Sequence, residues 1–192
     1  MFWVLHYLFE LLRLQFPLYP GFLLYKGQLI LYPTDTIWGI GCDAHNPIAV
    51  SKIYNIKKRQ DSKALISLVA NKEQLLKYSS IIPKEALNNK PTTIIYHNPL
   101  KLANNLLAKD GSAGIRIVQD KFCKNLISNF GKAIVATSAN ISGEKHPKIF
   151  SEINKEITKN VDYIVDLRKD EIMNIPSQIL NITPTGQIKR IR

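Results

Sequence analysis

The chain is 192 residues long, 45% hydrophobic and 21% charged, with a formal net charge of +11. That length suits one domain, able to bury about 70% of the surface its unfolded chain would expose. The composition excludes a disordered chain, a collagen-like chain and a disulfide scaffold. Cys42 and Cys123 are its two cysteines. Without a C-x-x-C pair, and with the histidines scattered, they make neither a disulfide framework nor a zinc motif. This fits a reducing, cytoplasmic setting. Lysine supplies 20 of the 26 positive charges. Such a balance favours anionic partners such as nucleotide or RNA, and equally suits lysine filling solvated faces.

Residues 1–25 are more apolar than the rest and carry only Glu10 and Arg13 as charges. They lack the basic start and small-residue cleavage site of a secretory signal. His6, Glu10, Arg13, Gln15, Pro17 and Pro20 interrupt the run that a stable membrane span would need. Residues 2–14 fit one amphipathic helix, stopped by Pro17, Pro20 and Gly21. It would pack on the domain, lie on a membrane surface or partner, or stand as a segment outside the native fold.

Residues 28–32 form an apolar run ended by Pro33, as in a buried strand. Asn46-Pro47 opens a helix over 46–58. A second buried strand covers 64–69, with short helices at 72–78 and 83–87. The β-branched and aromatic run 92–96 is a strand. Residues 98–108 are helical in pattern, 113–118 a strand, 120–130 an amphipathic helix ending at Gly131, and 133–137 a strand. A helix is expected over 150–160 and strands over 161–167, 178–182 and 187–191. Strands and helices alternate, so the fold class is α/β. The short C-terminal strands argue for a mixed sheet.

Two loops carry polar side chains at predicted strand ends, where open α/β sheets bind ligands. One is Pro33-Thr34-Asp35-Thr36 followed by Trp38-Gly39-Ile40-Gly41; the other is Thr137-Ser138-Ala139-Asn140-Ile141-Ser142-Gly143. Each also reads as an ordinary polar turn, or as a set of donors for a phosphate or carboxylate. Lys57-Lys58-Arg59 ends a predicted helix, where it complements the helix dipole or clamps phosphates. Arg116 lies inside the apolar strand Gly114-Ile115-Arg116-Ile117-Val118 and needs an anionic partner, either a ligand or a structural carboxylate. G-x-S-x-G, Walker and G-x-G-x-x-G motifs are absent from the sequence.

In chain order, KGQLILYPTDTIWGIGCDA, IKKRQDSKALISLV, GSAGIRI, ATSANISG and the tail PSQILNI…IKRIR resemble the YrdC/TsaC family of threonylcarbamoyl-AMP synthases, in its short single-domain form. The resemblance runs from about Lys26 to Arg192, so residues 26–192 are expected to form a YrdC-like domain after an apolar helical segment, 1–25. It implies a twisted open mixed sheet flanked by helices, with a concave basic face. It implies a nucleotidyltransferase that makes L-threonylcarbamoyladenylate and pyrophosphate from L-threonine, bicarbonate or carbon dioxide, and ATP. The product serves threonylcarbamoyladenosine modification beside the tRNA anticodon. Mg2+ would arrive on the ATP phosphates, with no metal held by the protein itself. tRNA or downstream modification proteins are the implied partners.

Carried over position by position, Thr36, Arg116, Ser138 and Ser177 fall where the family holds L-threonine. Arg59, Lys63, Ser112, Asn140, Lys148 and Arg192 fall where it holds ATP. Lys57 and Arg59, from K-x-R, would be catalytic beside the phosphates. The chain departs from the family pattern at Gln60 (commonly Pro), Lys63 (often Asn), Leu68 (often His, contacting threonine), Trp38 (commonly Tyr, an aromatic wall) and Gln178 (commonly Thr). The alternatives are a non-catalytic basic RNA-binding module of the same fold, a domain related to the hydrogenase-maturing carbamoyltransferases, and an inactive homologue.

Overall fold

The computed structural model describes residues 20–58, 65–183 and 188–191. The helix expected over 2–14 lies outside them. Of its expected stop, Pro17 lies outside them too, whereas Pro20 opens a helix, α1 (Pro20–Tyr25). At the first helical position the missing proline N–H has no intrahelical partner to lose, and its fixed φ suits the helix.

Among the described residues nine strands follow: β1 (Ile30–Pro33), β2 (Trp38–Gly41), β3 (Ile66–Val69), β4 (Thr92–His97), β5 (Ser112–Ile117), β6 (Ile134–Ser138), β7 (Tyr163–Ile164), β8 (Gln178–Ile182) and β9 (Ile188–Arg190). The α-helices between them are α2 (Pro47–Ile56), α3 (Lys72–Leu75), α4 (Lys121–Phe130) and α5 (Lys155–Asn160). The strands form one sheet in the order β7-β1-β2-β6-β3-β5-β4-β8-β9. Pairs β1–β7, β3–β5 and β4–β8 are parallel and the other neighbours antiparallel. The sheet is therefore mixed, as expected.

Four readings change. Residues 38–41, read as loop, are β2, hydrogen-bonded between β1 and β6. Residues 98–108 carry only a 3-10 turn, Asn104–Leu106. The helix expected over 150–160 divides into a 3-10 turn, Phe150–Glu152, and α5, because the Asn154 side chain accepts the Glu156 N–H and starts a new helix. The strand expected over 161–167 shrinks to the two residues of β7, which pair with Ile30 and Leu31.

Side chains alternate across a strand, and two buried clusters divide accordingly. On one face, Leu31, Ile40, Val69, Ile94, Ile115, Val135 and Leu180 pack under Ala49, Val50 and Ile53 of α2. On the other, Ile30, Tyr32, Leu68 and Ile134 pack under Leu24 of α1 and Leu126, Ile127 and Phe130 of α4. Gly41 is required where β2 passes beneath Tyr32: a Cβ there would lie 2.6 Å from the ring and 2.7 Å from the Val135 carbonyl oxygen.

The helix ends are chemically specified. Asn46 accepts the Ile48 and Ala49 N–H groups and Pro47 follows, starting α2. Asp120 accepts the Cys123 N–H to start α4, and Gly131, at φ +78, ends it. α4 thus covers the β1, β6 and β3 portion of its sheet face. Over β5, β4 and β8 the same face carries Arg116, Thr93 and Ile179 instead of a helix-packed apolar layer, and there the cavity lies.

Candidate active site

A cavity of about 210 Å³ is lined by residues of β2, β3, β5, β6 and β8 and of the segments beside them, including Thr34, Thr36, Ile66, Arg116, Thr137, Ser138, Ser177 and Ile179. It is smaller than the roughly 300–1,000 Å³ of clefts that take drug-sized ligands, a scale that suits an amino acid. Thr36, Arg116, Ser138 and Ser177, drawn from four separate parts of the sequence, meet here. Sequence reading did not single out Thr34, Ile66 or Ile179 as site residues. Thr34 was visible in its loop, but which face Ile66 and Ile179 present follows only from strand register.

The β1–β2 turn is built by threonine hydroxyls. Thr34 Oγ1 accepts the Thr36 and Ile37 N–H groups at 3.1 and 3.3 Å and lies 3.0 Å from Thr36 Oγ1. The Ile37 carbonyl accepts a hydrogen bond from Thr34 Oγ1 at 2.8 Å. The turn is tied to β5 by Asp35, whose Oδ1 accepts Arg116 Nη2 at 2.8 Å while Oδ2 accepts the Gln119 N–H at 3.1 Å. Both charged side chains are about 95% buried, 4% and 5% exposed. Of the two partners left open for Arg116 by the sequence, a structural carboxylate is therefore present. Its donors are not exhausted: Arg116 Nε is buried with no hydrogen-bond partner. Such a group is costly unless something accepts from it.

Ser177 immediately precedes β8, and its hydroxyl lies 2.9 Å from Thr93 Oγ1 of β4. Ser138 ends β6 opposite Gly39. Beyond it the chain turns, with Asn140 Nδ2 donating to the Ile141 and Glu144 carbonyls at 2.9 and 2.8 Å. Asn140 Oδ1 is buried and unpaired.

The residues placed beside ATP behave differently. Lys57 is 1% exposed. Its Nζ donates to the Ser138 and Asn140 carbonyls at 2.5 and 2.6 Å, and its own carbonyl accepts the Ser142 N–H. Lys57 thus clamps the Ser138–Ser142 loop from behind, rather than presenting an open charge. Ser112 lies at the far end of β5 from Arg116, outside the cavity lining, with Oγ donating to Asp110 at 2.7 Å. Lys148 is exposed and its backbone N–H donates to Glu152. Arg59, Lys63 and Arg192 lie outside the described residues. Among the described lining residues the one formal charge is that of Arg116, balanced by Asp35. The expected basic face is not displayed by the lining.

Two departures from the family pattern take a structural meaning. Trp38, expected as an aromatic wall, is fully buried in the helix-covered core, its ring 5.1 Å from that of Phe150. Leu68 sits beside Arg116 in register but is wholly buried under α4. It supplies packing where a histidine would supply a polar contact. Both cysteine thiols are buried, and burial pushes their pKa values up, away from nucleophilic thiolate.

The family model for Sua5, YciO and YrdC proteins, described as telomere recombination, matches residues 23–192. The chain belongs to the Sua5/YciO/YrdC family. A threonylcarbamoyl-AMP synthase of Pseudoalteromonas translucida is 34% identical over 151 residues, covering 73% of this chain and 80% of that protein. P. abyssi Sua5, solved in complex with L-threonine, superposes with a TM-score of 0.80 at 23% identity, over 90% of this chain. The chain spans about half of that protein's length, 52%. E. coli YciO superposes with a TM-score of 0.76 at 22% identity, over 90% of this chain and 86% of YciO. These two likenesses bear on the fold, which is the mixed, helix-flanked sheet of the Sua5/YciO/YrdC family.

Proposed function

We propose that this chain is a threonylcarbamoyl-AMP synthase of the nucleotidyltransferase class, condensing L-threonine, bicarbonate or carbon dioxide, and ATP. The observation that carries the reading is the meeting of Thr36, Arg116, Ser138 and Ser177 around one amino-acid-sized cavity, in a chain 34% identical to a protein of that name. The Arg116 guanidinium, which lines the cavity, is the donor group for the threonine carboxylate. The hydroxyls of Thr36, Ser138 and Ser177 hold the rest of the small zwitterion. Ile66 and Ile179 supply apolar wall.

In the proposed reaction the threonine amine attacks carbon dioxide. A C–N bond forms, the amine loses a proton, and a carbamate results. A carbamate oxygen then attacks the ATP α-phosphorus; the new P–O bond forms as the bond to pyrophosphate breaks. Such a transfer is carried by positioning and charge stabilisation, which agrees with a site built of hydroxyls and one guanidinium. Arg59, Lys63, Asn140, Lys148 and Arg192 are proposed for the ATP side, with Ser112 proposed from resemblance alone. Lys57 shapes the loop on which Ser138 and Asn140 stand.

Magnesium would come bound to the triphosphate. Among the described residues no group of three or more His, Cys, Asp or Glu side chains is placed to hold a metal, and Mg2+ is ordinarily held through one or two carboxylates plus substrate phosphates. The protein is proposed to act in the cytoplasm and to supply tRNA modification through downstream proteins. Among the described residues no helix is long and apolar enough to cross a membrane.

The test is product analysis: with ATP, carbon-labelled bicarbonate and L-threonine, the label should enter an adenylate that is absent when threonine is omitted. A folded protein that makes no such product, yet binds RNA with a steep salt dependence, would instead be the RNA-binding module.

A further inference from the structure

Arg116 is an isolated cation on a strand whose remaining residues are Ser, Ala, Gly and Ile. Its guanidinium offers five N–H donors in a fixed plane, so what it can grip depends on how that plane is held. Three observations identify what holds it. Asp35 Oδ1 takes Nη2 at 2.8 Å, with both side chains buried. Asp35 is itself fixed, since its second oxygen accepts the Gln119 N–H at 3.1 Å just past the end of β5. Thr36, the next residue, places Oγ1 3.4 Å from the same Nη2. One carboxylate therefore sets both the direction of the guanidinium and the distance between β5 and the β1–β2 turn. Arg116 lines the cavity, and its Nε is buried without a hydrogen-bond partner. Asp35 is not among the lining residues.

We propose that Asp35 is the positioning residue of the amino-acid subsite. It acts through Arg116 and Thr36, holding the guanidinium and the Thr36 hydroxyl in the spacing that accepts the substrate's carboxylate. This inference rests on the function proposed above. It predicts that geometry counts as well as charge: a carboxylate one methylene longer would still neutralise Arg116 but push its plane out of place.

The experiment compares wild-type protein with Asp35→Glu and Asp35→Asn by steady-state pyrophosphate release, with L-threonine and ATP varied separately, and by thermal shift with L-threonine alone. Wild-type release that requires threonine confirms the underlying reading; its absence from folded wild-type protein overturns that reading and this one with it. With the wild type active, Asp35→Glu is expected to raise the KM for L-threonine about tenfold or more and to abolish the threonine-induced thermal shift, with the KM for ATP within about twofold. Asp35→Asn, which keeps the shape and removes the charge, is expected to behave likewise if it folds. If it does not fold, Asp35→Glu decides. An unchanged threonine KM in Asp35→Glu overturns the proposal, as does an equal rise in both KM values.

Discussion

At the scale of single residues the site's charge balance is its most exacting feature. Arg116 and Asp35 are buried together, and removing one partner of such a pair leaves an uncompensated charge. Arg116→Met should therefore do two separable things. It should lower stability by about 3–5 kcal/mol in urea titration, the range for breaking a buried ion pair. In the fraction that remains folded, it should reduce kcat/KM for L-threonine by about a hundredfold, the equivalent of losing one strong charged hydrogen bond. A variant that keeps threonine kcat/KM would remove Arg116 from the substrate's neighbours.

A second residue-scale prediction concerns pH. Burial holds the His45 imidazole below its ordinary value, with Lys132 and Lys101 repelling the charged form and Asp43 opposing them. Its ring nitrogen Nε2 lies 2.9 Å from the Tyr78 hydroxyl. As pH falls, the unfolded chain takes up this proton first, near about 6.5. Stability contributed by neutral His45 is therefore present above that pH and lost as pH falls through the window towards the lower folded value. Urea midpoints measured from about pH 7 to about pH 5 should fall, and His45→Gln should flatten that fall. Asp110 and Asp166 act in a lower window: their hydrogen bonds to Ser112 and Lys169 hold both carboxyls below the ordinary value. Stability linked to them is lost only as pH drops further.

At the scale of elements, what was readable in the sequence had local causes. Asn46-Pro47 and Asp120…Gly131 are complete end signals, and α2 and α4 lie where those residues put them. Asp120→Ala should cost about 0.5–2 kcal/mol for the lost cap, read as a lowered urea midpoint. It also removes one partner of Arg168, whose Nη1 lies 3.2 Å from Asp120. The elements misread had tertiary causes. β2 is Trp-Gly-Ile-Gly, a poor strand by propensity, yet its glycines let it pass under Tyr32 between two partners. α1 begins at a proline that looked like a stop. Residues 98–108 have a helical spacing of apolar side chains, yet fold as loop and a 3-10 turn. The site was half legible. Thr36, Arg116 and Ser138 stood in motifs, whereas Asp35 read as a turn residue, because its partner lies 81 positions away. The contacts of Lys57 with the Ser138 and Asn140 carbonyls were not legible, because those residues lie 81 and 83 positions away in the sequence.

At the scale of the molecule, one sheet face is sealed by α2 and its neighbours, and the other is sealed by α1 and α4 over only part of its width. The remaining strands bring hydroxyls and a guanidinium together from Thr36 to Ser177, and the turns behind them are locked by Asp35, Thr93 and Lys57. A rigid frame with a small polar cavity suits a reaction that needs alignment more than a covalent intermediate. The measurement that bears on this most directly is pyrophosphate release from ATP by the full chain, with magnesium present and with L-threonine and bicarbonate each supplied or withheld. Release that requires both is the predicted result. Release indifferent to threonine, or none from folded protein, would contradict the account.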